Sequence, residues 1–272
     1  MDTINLQPIG VVHSVSNDTM KVPLQGDSAV IELLPEYEGA LERIEENSHV
    51  WILSWFNEAR RDVLTRAPTR VNPNAPSYGV FALRTPARPN PIALTLVALD
   101  RIEGKSLYVS GLDALDGTSV LDIKPYFEQD IVFSPRTSKI VASTREMRKA
   151  FMEKEAIRHH RENCADMQLA VRMALIAEEQ FGKLNDDEIL VEVDGSNCLG
   201  DTLQGITRAR LANPSRFMFR HSAVVMKSTW VKGNKSVCIE LRDKADLVIS
   251  EDLSDEVLFK IETITNKRQE YK

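Results

Sequence analysis

The chain has little cysteine and no long apolar run, and these two scarcities exclude several protein classes. Its three cysteines among 272 residues, Cys164, Cys198 and Cys238, lie far apart and form no CxxC pair. This spacing does not build a disulfide framework, which agrees with a reducing compartment. No apolar run approaches the roughly 20 residues that cross a bilayer, and the first ten residues lack the charged-then-apolar order of a secretion signal. We therefore expect a cytoplasmic protein that does not enter a membrane.

The sequence also lacks a G-x-G-x-x-G loop, so the doubly wound cofactor-binding folds are not predicted. Its formal net charge of −6 argues against a general nucleic-acid coat protein. Residues 51–101 nevertheless hold seven arginines against three acids, a local charge of +4. That asymmetry favours an anionic partner, including a nucleic-acid backbone, although a solvated basic face has the same composition.

The most informative stretch of the chain covers residues 78–126 and begins with a proline-rich loop. Residues 84–91 read RTPARPNP, with three prolines in the last six positions. Each proline fixes its own φ and biases the preceding residue toward extended geometry, so the segment is not helical. A stiff loop lowers the entropic cost of holding Arg84 and Arg88 toward a ligand.

Two apolar runs and a polar turn follow this loop. The runs at 92–99 and 107–112 contain β-branched residues and are joined at Glu103-Gly104-Lys105, which predicts a hairpin. The turn at 113–118 contains Asp116-Gly117, a strong turn signal. We predict a hairpin with a loop at each end, both within reach of one pocket. A β-domain whose proline loops have no function is the alternative that these residues leave open.

The second half of the chain has a helix-and-strand rhythm. We expect an exposed helical linker at 144–163, with the domain boundary between residues 145 and 146. After it we predict helices at 165–181, ended by Gly182, and at 198–210, strands at 189–193, 223–230 and 236–241, and an amphipathic helix at 252–262. The resulting architecture is an N-terminal all-β domain (1–145) followed by a C-terminal α+β domain (146–272).

Several motifs in the first half resemble one known family. They are GVFALRTPARPNPIALT at 79–95, LDGTSVLDIKPY at 115–126, PIGVVHS at 8–14, SHVWIL at 48–53, and Lys21, Pro23 and Gln25 in a K-x-P-x-Q element. Residues 5–135 thereby resemble the TrmO, or YaeB-like, tRNA methyltransferases. The chain departs from the family pattern at Ala93, where glycine is usual, and at Asn57, where histidine is common.

The resemblance implies a small β-barrel that binds S-adenosylmethionine and forms a homodimer. It also implies methyl transfer to N6 of threonylcarbamoyl-adenosine, the base just 3′ of a tRNA anticodon. The implied cofactor residues are Pro23, Leu24, Gln25, Asn57, Glu58, Arg84, Leu96, Leu115, Asp116, Gly117 and Thr118. We expect Arg84 to meet the cofactor carboxylate and Asp116 a hydroxyl or amine; an ion pair between these two residues that braces the loops is the alternative. We assign no catalytic residue, and for His49 we favour a satisfied core histidine over a proton acceptor.

The second half resembles the FmdE-like domain, which is related to a subunit of formylmethanofuran dehydrogenase. The resemblance rests on His160, Glu162 and Cys164, and then on Cys198, Asp201 and Gln204. Histidine and cysteine suit zinc, but Glu162 stands where the family has a second histidine and no fourth ligand is evident. We therefore favour a metal-free cysteine pair and assign no metal. The role of this domain stays open between RNA docking, dimer support and a separate ligand.

Two other functions remain open for the whole chain. One is a non-catalytic S-adenosylmethionine-binding sensor or scaffold, and the other is methyl transfer to a small molecule. The basic segment at 51–101 favours RNA over a small substrate.

Overall fold

A computed structural model describes residues 3–242 and 253–265, which divide into two compact units. The first unit comprises the chain up to Pro68 together with Pro76–Ile131, and the second comprises Thr69–Ala75 and everything from Val132 onward. Across the described residues, no helix has the length and apolar character needed to cross a bilayer.

Six strands of the first unit close into an antiparallel barrel in the order β1-β2-β7-β6-β3-β8. The strands of this unit are β1 (Gly10–His13), β2 (Asp27–Leu33), β3 (His49–Trp55), β4 (Thr65–Arg66), β5 (Tyr78–Gly79), β6 (Ile92–Glu103), β7 (Ser106–Leu112) and β8 (Ser119–Pro125). Alternate residues point inward, as period-2 alternation requires, so Val50 and Ile52 of β3 are fully buried with Val12, Ile31 and Val97. The predicted small barrel is confirmed.

Three connections of the first unit emerge at one end of the barrel. β1, β3 and β7 end there and β2, β6 and β8 begin there, as the registers Trp55↔Ile92, Trp55↔Ser119 and Asp27↔Leu112 require. The connections are residues 14–26, 56–91 and 113–118, and we call this end the connection rim. β7 and β8 are not neighbours in the barrel, so the third connection passes over the end of the barrel.

The predicted hairpin is confirmed as β6 and β7, which pair antiparallel from Ala98↔Ser110 to Glu103↔Ser106. The predicted loops do not lie at opposite ends of the hairpin in space. The start of β6 and the end of β7 lie at the same, open end of an antiparallel pair. The loop at 84–91 and the turn at 113–118 therefore both leave from the connection rim.

The second unit combines helices with a five-stranded sheet, so the predicted α+β class is confirmed. Its elements are α1 (Arg145–His160), α2 (Ala165–Phe181), β9 (Leu190–Gly195), α3 (Asn197–Thr207), β10 (Phe217–His221), β11 (Lys227–Lys232), β12 (Lys235–Leu241), α4 (Asp255–Leu258) and β13 (Phe259–Thr265). The sheet order is β10-β9-β11-β12-β13. α2 has the predicted bounds, and its buried face joins the core around Trp230 and Ile239.

Residues 144–163 are not an exposed linker. They contain α1, which buries Met152 and Ala156 in the core of the second unit. The preceding segment is tied to the same unit, because Lys139 Nζ lies 2.7 Å from Asp186 Oδ2. The compact unit thus begins at Val132 rather than at the expected residue 146.

Two further differences concern the sheet. The predicted helix at 252–262 is wrong within the described residues, because α4 is a single turn and Phe259 begins β13, while residue 252 lies outside the described part. β13 pairs with β12 in the register Ile239↔Ile261. β10, which the sequence pattern did not predict, pairs in parallel with β9. Both strands are short edge strands whose pairing partner, not their own periodicity, sets their conformation.

Candidate functional site

The predicted cofactor residues gather at the connection rim. Ten of the eleven lie on its three connections: Pro23, Leu24 and Gln25 on the first, Asn57, Glu58 and Arg84 on the second, and Leu115, Asp116, Gly117 and Thr118 on the third. Leu96 is the exception, since it lies within β6 opposite Trp51 of β3. Residues up to 95 positions apart in sequence are therefore brought to one end of one barrel.

The third connection is held against the end of β1 by backbone hydrogen bonds. Asp116 N donates to Ser16 O at 2.9 Å and Gly117 N donates to Val12 O at 2.8 Å, while Val12 N donates to Thr118 O at 2.9 Å. Ser14 Oγ adds a bond to Ala114 O at 3.1 Å. Because the turn is bonded both to β1 and to the residues that follow it, its polar side chains have a defined position on the rim.

The carboxylate of Asp116 has one occupied and one available oxygen. Oδ1 accepts a hydrogen bond from Ser14 N at 3.1 Å and lies 3.9 Å from His13 Nδ1. The side chain is 46% exposed, which leaves room for a ligand donor. Within the described residues, Asp116 and Arg84 form no ion pair. The structure therefore does not contain the pair between these two residues that would brace the loops.

Arg84 and Arg88 belong to the same stiff loop but have different environments. The guanidinium of Arg88 donates to the carbonyls of Thr85 (2.9 Å), Val80 (3.1 Å) and Leu83, so it folds the loop around itself. Arg84 is exposed, and in the part of the chain that is described its guanidinium has no hydrogen-bond or ion-pair partner. The sequence predicted that both arginines face a ligand, and Arg84 is the one whose guanidinium is available to bind it.

The second connection is the basic part of the rim. Outside residues 69–75, which belong to the second unit, it carries Arg60, Arg61, Arg66, Arg84 and Arg88 against Glu58 and Asp62, a net charge of +3. Arg60 is paired with Asp62 at 2.8 Å. Arg61 stacks 5.0 Å from the ring centre of Trp55, the last residue of β3. The rim therefore offers both charge and an aromatic face.

The first connection closes tightly against β7. Gly26 has φ +70°, and a methyl group at this position would lie 2.3 Å from the carbonyl carbon of Gly111. Gly26 N donates to Pro23 O at 2.9 Å, which closes the turn that carries Leu24 and Gln25. This glycine lets the backbone of the first connection approach the strand from which the third connection leaves.

Histidines lie at both ends of the barrel, and the structure separates their possible roles. His49 begins β3, whose seven residues at about 3.4 Å each place it roughly 20 Å from the connection rim. His13 ends β1 at the rim, where its Nε2 lies 2.9 Å from Glu32 Oε2. Hydrogen bonds from Lys105 and then from His13 lower the pKa of Glu32. His13 is a rim residue that sequence reasoning missed, although it stands in the PIGVVHS motif.

A shallow groove of about 440 Å³ adjoins His13 on the outer face of the barrel. It is lined by residues that include Ser14, Val15 and Tyr108. None of the eleven predicted cofactor residues is among those that line it, so the groove is a neighbour of the rim and not the predicted pocket.

A second cluster of reactive side chains lies in the second unit. His160, Cys164 and Cys198 have their nitrogen and sulfur atoms within 4.8 Å of one another. Burial, and then the neighbouring Cys164, raises the pKa of the Cys198 thiol. The two cysteines that the sequence paired do lie together, and a histidine joins them.

Comparison with known proteins links the barrel to one family. A family model described as the tRNA-methyltransferase O N-terminal domain matches residues 11–130. A Methanothermobacter thermautotrophicus protein named as a probable S-adenosyl-L-methionine-binding protein is 43% identical over 129 residues, which cover 46% of this chain and 91% of that protein. The match thus spans nearly the whole of that relative.

Two further relatives extend the comparison. An Archaeoglobus fulgidus protein, also named as a probable S-adenosyl-L-methionine-binding protein, is 36% identical over 226 residues, or 79% of this chain and 61% of that protein. The alignment is too long to be confined to the barrel. A Mus musculus protein named tRNA (adenine(37)-N6)-methyltransferase is 47% identical over 92 residues, 33% of this chain and 21% of that protein. The resemblance of the second unit to the FmdE-like domain stays a prediction.

Proposed function

The chain belongs to the tRNA-methyltransferase O family, and on this premise we propose that its barrel binds S-adenosylmethionine and transfers the methyl group to N6 of an adenosine in tRNA. The family match at 11–130 coincides with the six barrel strands. Relatives named as S-adenosyl-L-methionine-binding proteins support the cofactor, and the relative named as a tRNA adenine methyltransferase supports the acceptor.

The observation that carries this proposal is the convergence of three connections on one rim. S-adenosylmethionine presents a carboxylate, an amine and ribose hydroxyls to a protein. The exposed guanidinium of Arg84 suits the carboxylate, and the available oxygen of Asp116 suits a hydroxyl or the amine. Pro23, Leu24 and Leu115 supply apolar surface between these polar groups.

The chemistry requires the acceptor nitrogen to be positioned and its proton to be released to water. The methyl group leaves a sulfonium by in-line displacement, so holding the acceptor nitrogen near the methyl carbon supplies much of the acceleration. A turn fixed to β1 by Gly117 N, and to the first connection by Asp116 N, is suited to that task. We assign no general base, and the distance of His49 from the rim removes it from consideration.

We further propose threonylcarbamoyl-adenosine, just 3′ of the anticodon, as the acceptor. Sequence-specific RNA binding targets loops whose bases can be splayed out and stacked on aromatic or guanidinium planes. The Arg61–Trp55 stack and the +3 connection are suited to such a loop.

We expect a homodimer, because large apolar side chains on the connections are exposed. Val15 is 84% exposed, Leu64 68% and Phe81 83%. Packing against a second copy of the chain would remove these side chains from water. The molar mass in solution, measured by light scattering, tests this expectation; a monomer at micromolar concentration contradicts it.

Incubation of the full chain with methyl-labelled S-adenosylmethionine and total tRNA, followed by digestion to nucleosides, tests the function. We expect label on N6-methylated threonylcarbamoyl-adenosine. tRNA from cells that cannot make threonylcarbamoyl-adenosine is the control and should stay unlabelled. Label on N6-methyladenosine without the threonylcarbamoyl group would contradict threonylcarbamoyl-adenosine as the acceptor. It would still support methyl transfer to N6 of an adenosine in tRNA.

Two other outcomes distinguish the remaining functions. Cofactor binding by calorimetry with no labelled nucleoside would indicate a sensor or scaffold. Label that remains in the small-molecule fraction of a cell extract would indicate a small-molecule acceptor. Absence of cofactor binding by the folded protein would overturn the proposal entirely.

A further inference from the structure

The cluster in the second unit is built from the ends of three helices. His160 is the last residue of α1, and Cys164 is the N-cap of α2, where its Sγ accepts a hydrogen bond from Met167 N at 3.4 Å. Cys198 is the second residue of α3. Two sulfur atoms and an imidazole therefore meet where three helix ends converge.

The imidazole of His160 is oriented toward the sulfur atoms. Its Nδ1 lies 2.7 Å from Asp201 Oδ2 and its Nε2 lies 3.5 Å from Cys164 Sγ. The carboxylate can only accept, so Nδ1 carries the proton and Nε2 presents a lone pair to the cluster. The side chain of His160 is 10% exposed, whereas that of Asp201 is 46% exposed.

We propose that His160 Nε2, Cys164 Sγ and Cys198 Sγ bind a zinc ion, with Asp201 as the residue that positions His160. The sequence alone favoured a metal-free cysteine pair, and the geometry reverses that preference. All four residues lie in the second unit, so the inference stands apart from the methyltransferase proposal.

The distances suit zinc. In a tetrahedral site with Zn–S near 2.3 Å and Zn–N near 2.0 Å, a nitrogen and a sulfur ligand lie about 3.5 Å apart. The 3.5 Å between His160 Nε2 and Cys164 Sγ matches this separation. The remaining separations stay within 4.8 Å and close by small side-chain movements. Two thiolates also neutralise the charge of Zn²⁺.

The ligand set indicates an open site. Three protein ligands leave a fourth position for water or another small ligand, which is typical of catalytic zinc and not of closed structural sites. A carboxylate that accepts from the second nitrogen of a zinc-binding histidine is a recurrent feature of such sites. A cysteine–histidine nucleophile, the rival interpretation, has no use for Cys198, whereas a zinc site needs it.

Metal titration of the full chain tests the proposal. The protein is reduced, stripped with a chelator, desalted, and titrated with Zn²⁺ or Co²⁺. We expect one tightly bound ion per chain by elemental analysis, and with Co²⁺ the absorption of a tetrahedral site with thiolate-to-metal charge transfer.

Cysteine variants identify the ligands. Cys164→Ser and Cys198→Ser should each weaken zinc binding by at least about 100-fold and diminish the charge-transfer band. Serine is a good N-cap, so Cys164→Ser keeps the helix start. Cys238→Ser is the matched control, because this cysteine lies on β12 outside the cluster, and it should bind as the parent does.

The positioning role of Asp201 has its own measurement. Asp201→Asn should weaken zinc binding about 10- to 100-fold in competition with a chromophoric chelator and leave the number of thiolate ligands unchanged. An unchanged affinity would overturn the role of Asp201.

Three results would overturn the zinc site. They are no bound ion at excess zinc in the folded reduced protein, unaltered zinc affinity in both cysteine variants, and a Cys164–Cys198 disulfide in a protein whose reduced form binds no zinc. Circular dichroism of each variant confirms that it is folded.

Discussion

Arg84 and Arg88 stand four residues apart in one proline-braced loop, and we predict that alanine at Arg84 weakens cofactor binding alone, whereas alanine at Arg88 also destabilises the fold. Arg84 is exposed and has no partner among the described residues, so Arg84→Ala should change the free energy of unfolding by less than about 0.5 kcal/mol. A hydrogen-bonded ion pair with the cofactor carboxylate is worth about 1.5–3 kcal/mol. Its loss should raise the Kd for S-adenosylmethionine about 10- to 150-fold.

Arg88→Ala should act first on the fold. The substitution removes a donor from three backbone carbonyls, and of these the carbonyl of Val80 keeps a second donor in Leu83 N whereas those of Leu83 and Thr85 lose theirs. Each buried acceptor left without a donor costs about 1–3 kcal/mol, and water can reach part of this loop, so we expect a total near 2 kcal/mol. Cofactor affinity should then fall because the loop that presents Arg84 is no longer stiff.

Calorimetric titration with S-adenosylmethionine and urea unfolding followed by tryptophan fluorescence separate the two effects. Arg43→Ala is the control, because Arg43 lies at the other end of the barrel and pairs with Glu46 on the surface. It should alter neither quantity. Unchanged cofactor affinity in folded Arg84→Ala, or a stability loss larger than that of Arg88→Ala, would refute the reasoning.

Three further predictions concern stability, each measured by urea unfolding. Gly26→Ala should lower the free energy of unfolding by more than about 3 kcal/mol, because its methyl group would meet backbone atoms at 2.3 Å. Gly117→Ala, at φ +76° and with open space around the new methyl group, should lower it by about 1 kcal/mol. Equal losses in the two variants would contradict this account. Burial raises the pKa of Asp186, but hydrogen bonds from two lysines outweigh this effect and hold the pKa well below its usual range. Asp186→Asn should therefore lower the free energy of unfolding by about 2 kcal/mol at pH 7 and by progressively less below pH 4. A loss that does not change with pH would contradict the pairing. Burial raises the pKa of Glu178 to about 7, so the parent protein should lose stability as the pH rises from about 4.5 to 7. Glu178→Gln should be more stable than the parent by roughly 1–3 kcal/mol at pH 8 but not at pH 4. A difference in stability that does not depend on pH would contradict the raised pKa.

Much of the candidate site was predictable from sequence because its residues belong to short, ordered motifs. The prolines at 84–91 predict a stiff loop and the Asp116-Gly117 pair at 113–118 predicts a turn. The β-branched runs between them predict the hairpin. What sequence did not supply is the direction of the loops. Only the antiparallel pairing of β6 with β7 shows that both loops leave from the same end.

His13 escaped prediction for a related reason. Its importance depends on the third connection folding back on β1, where Gly117 N reaches Val12 O across more than a hundred residues of sequence. No local pattern encodes that contact. β13 was mistaken for a helix because its amphipathic pattern fits both periods, and pairing with β12 decides between them. α1 was mistaken for a linker because charged residues dominate it and only two of its residues, Met152 and Ala156, are buried.

The net charge of the chain is a poor guide to its partner, and the barrel shows why. The chain totals −6, yet the second connection outside residues 69–75 carries +3, so the remainder carries −9. At physiological ionic strength, charges interact over a Debye length of about 8 Å. A phosphate backbone at the connection rim is therefore governed by the arginines within that distance, while acids on the opposite end of the barrel, such as Glu45 and Glu46, are screened. The local distribution of charge, and not its sum, therefore lets an acidic protein present a basic connection at the rim.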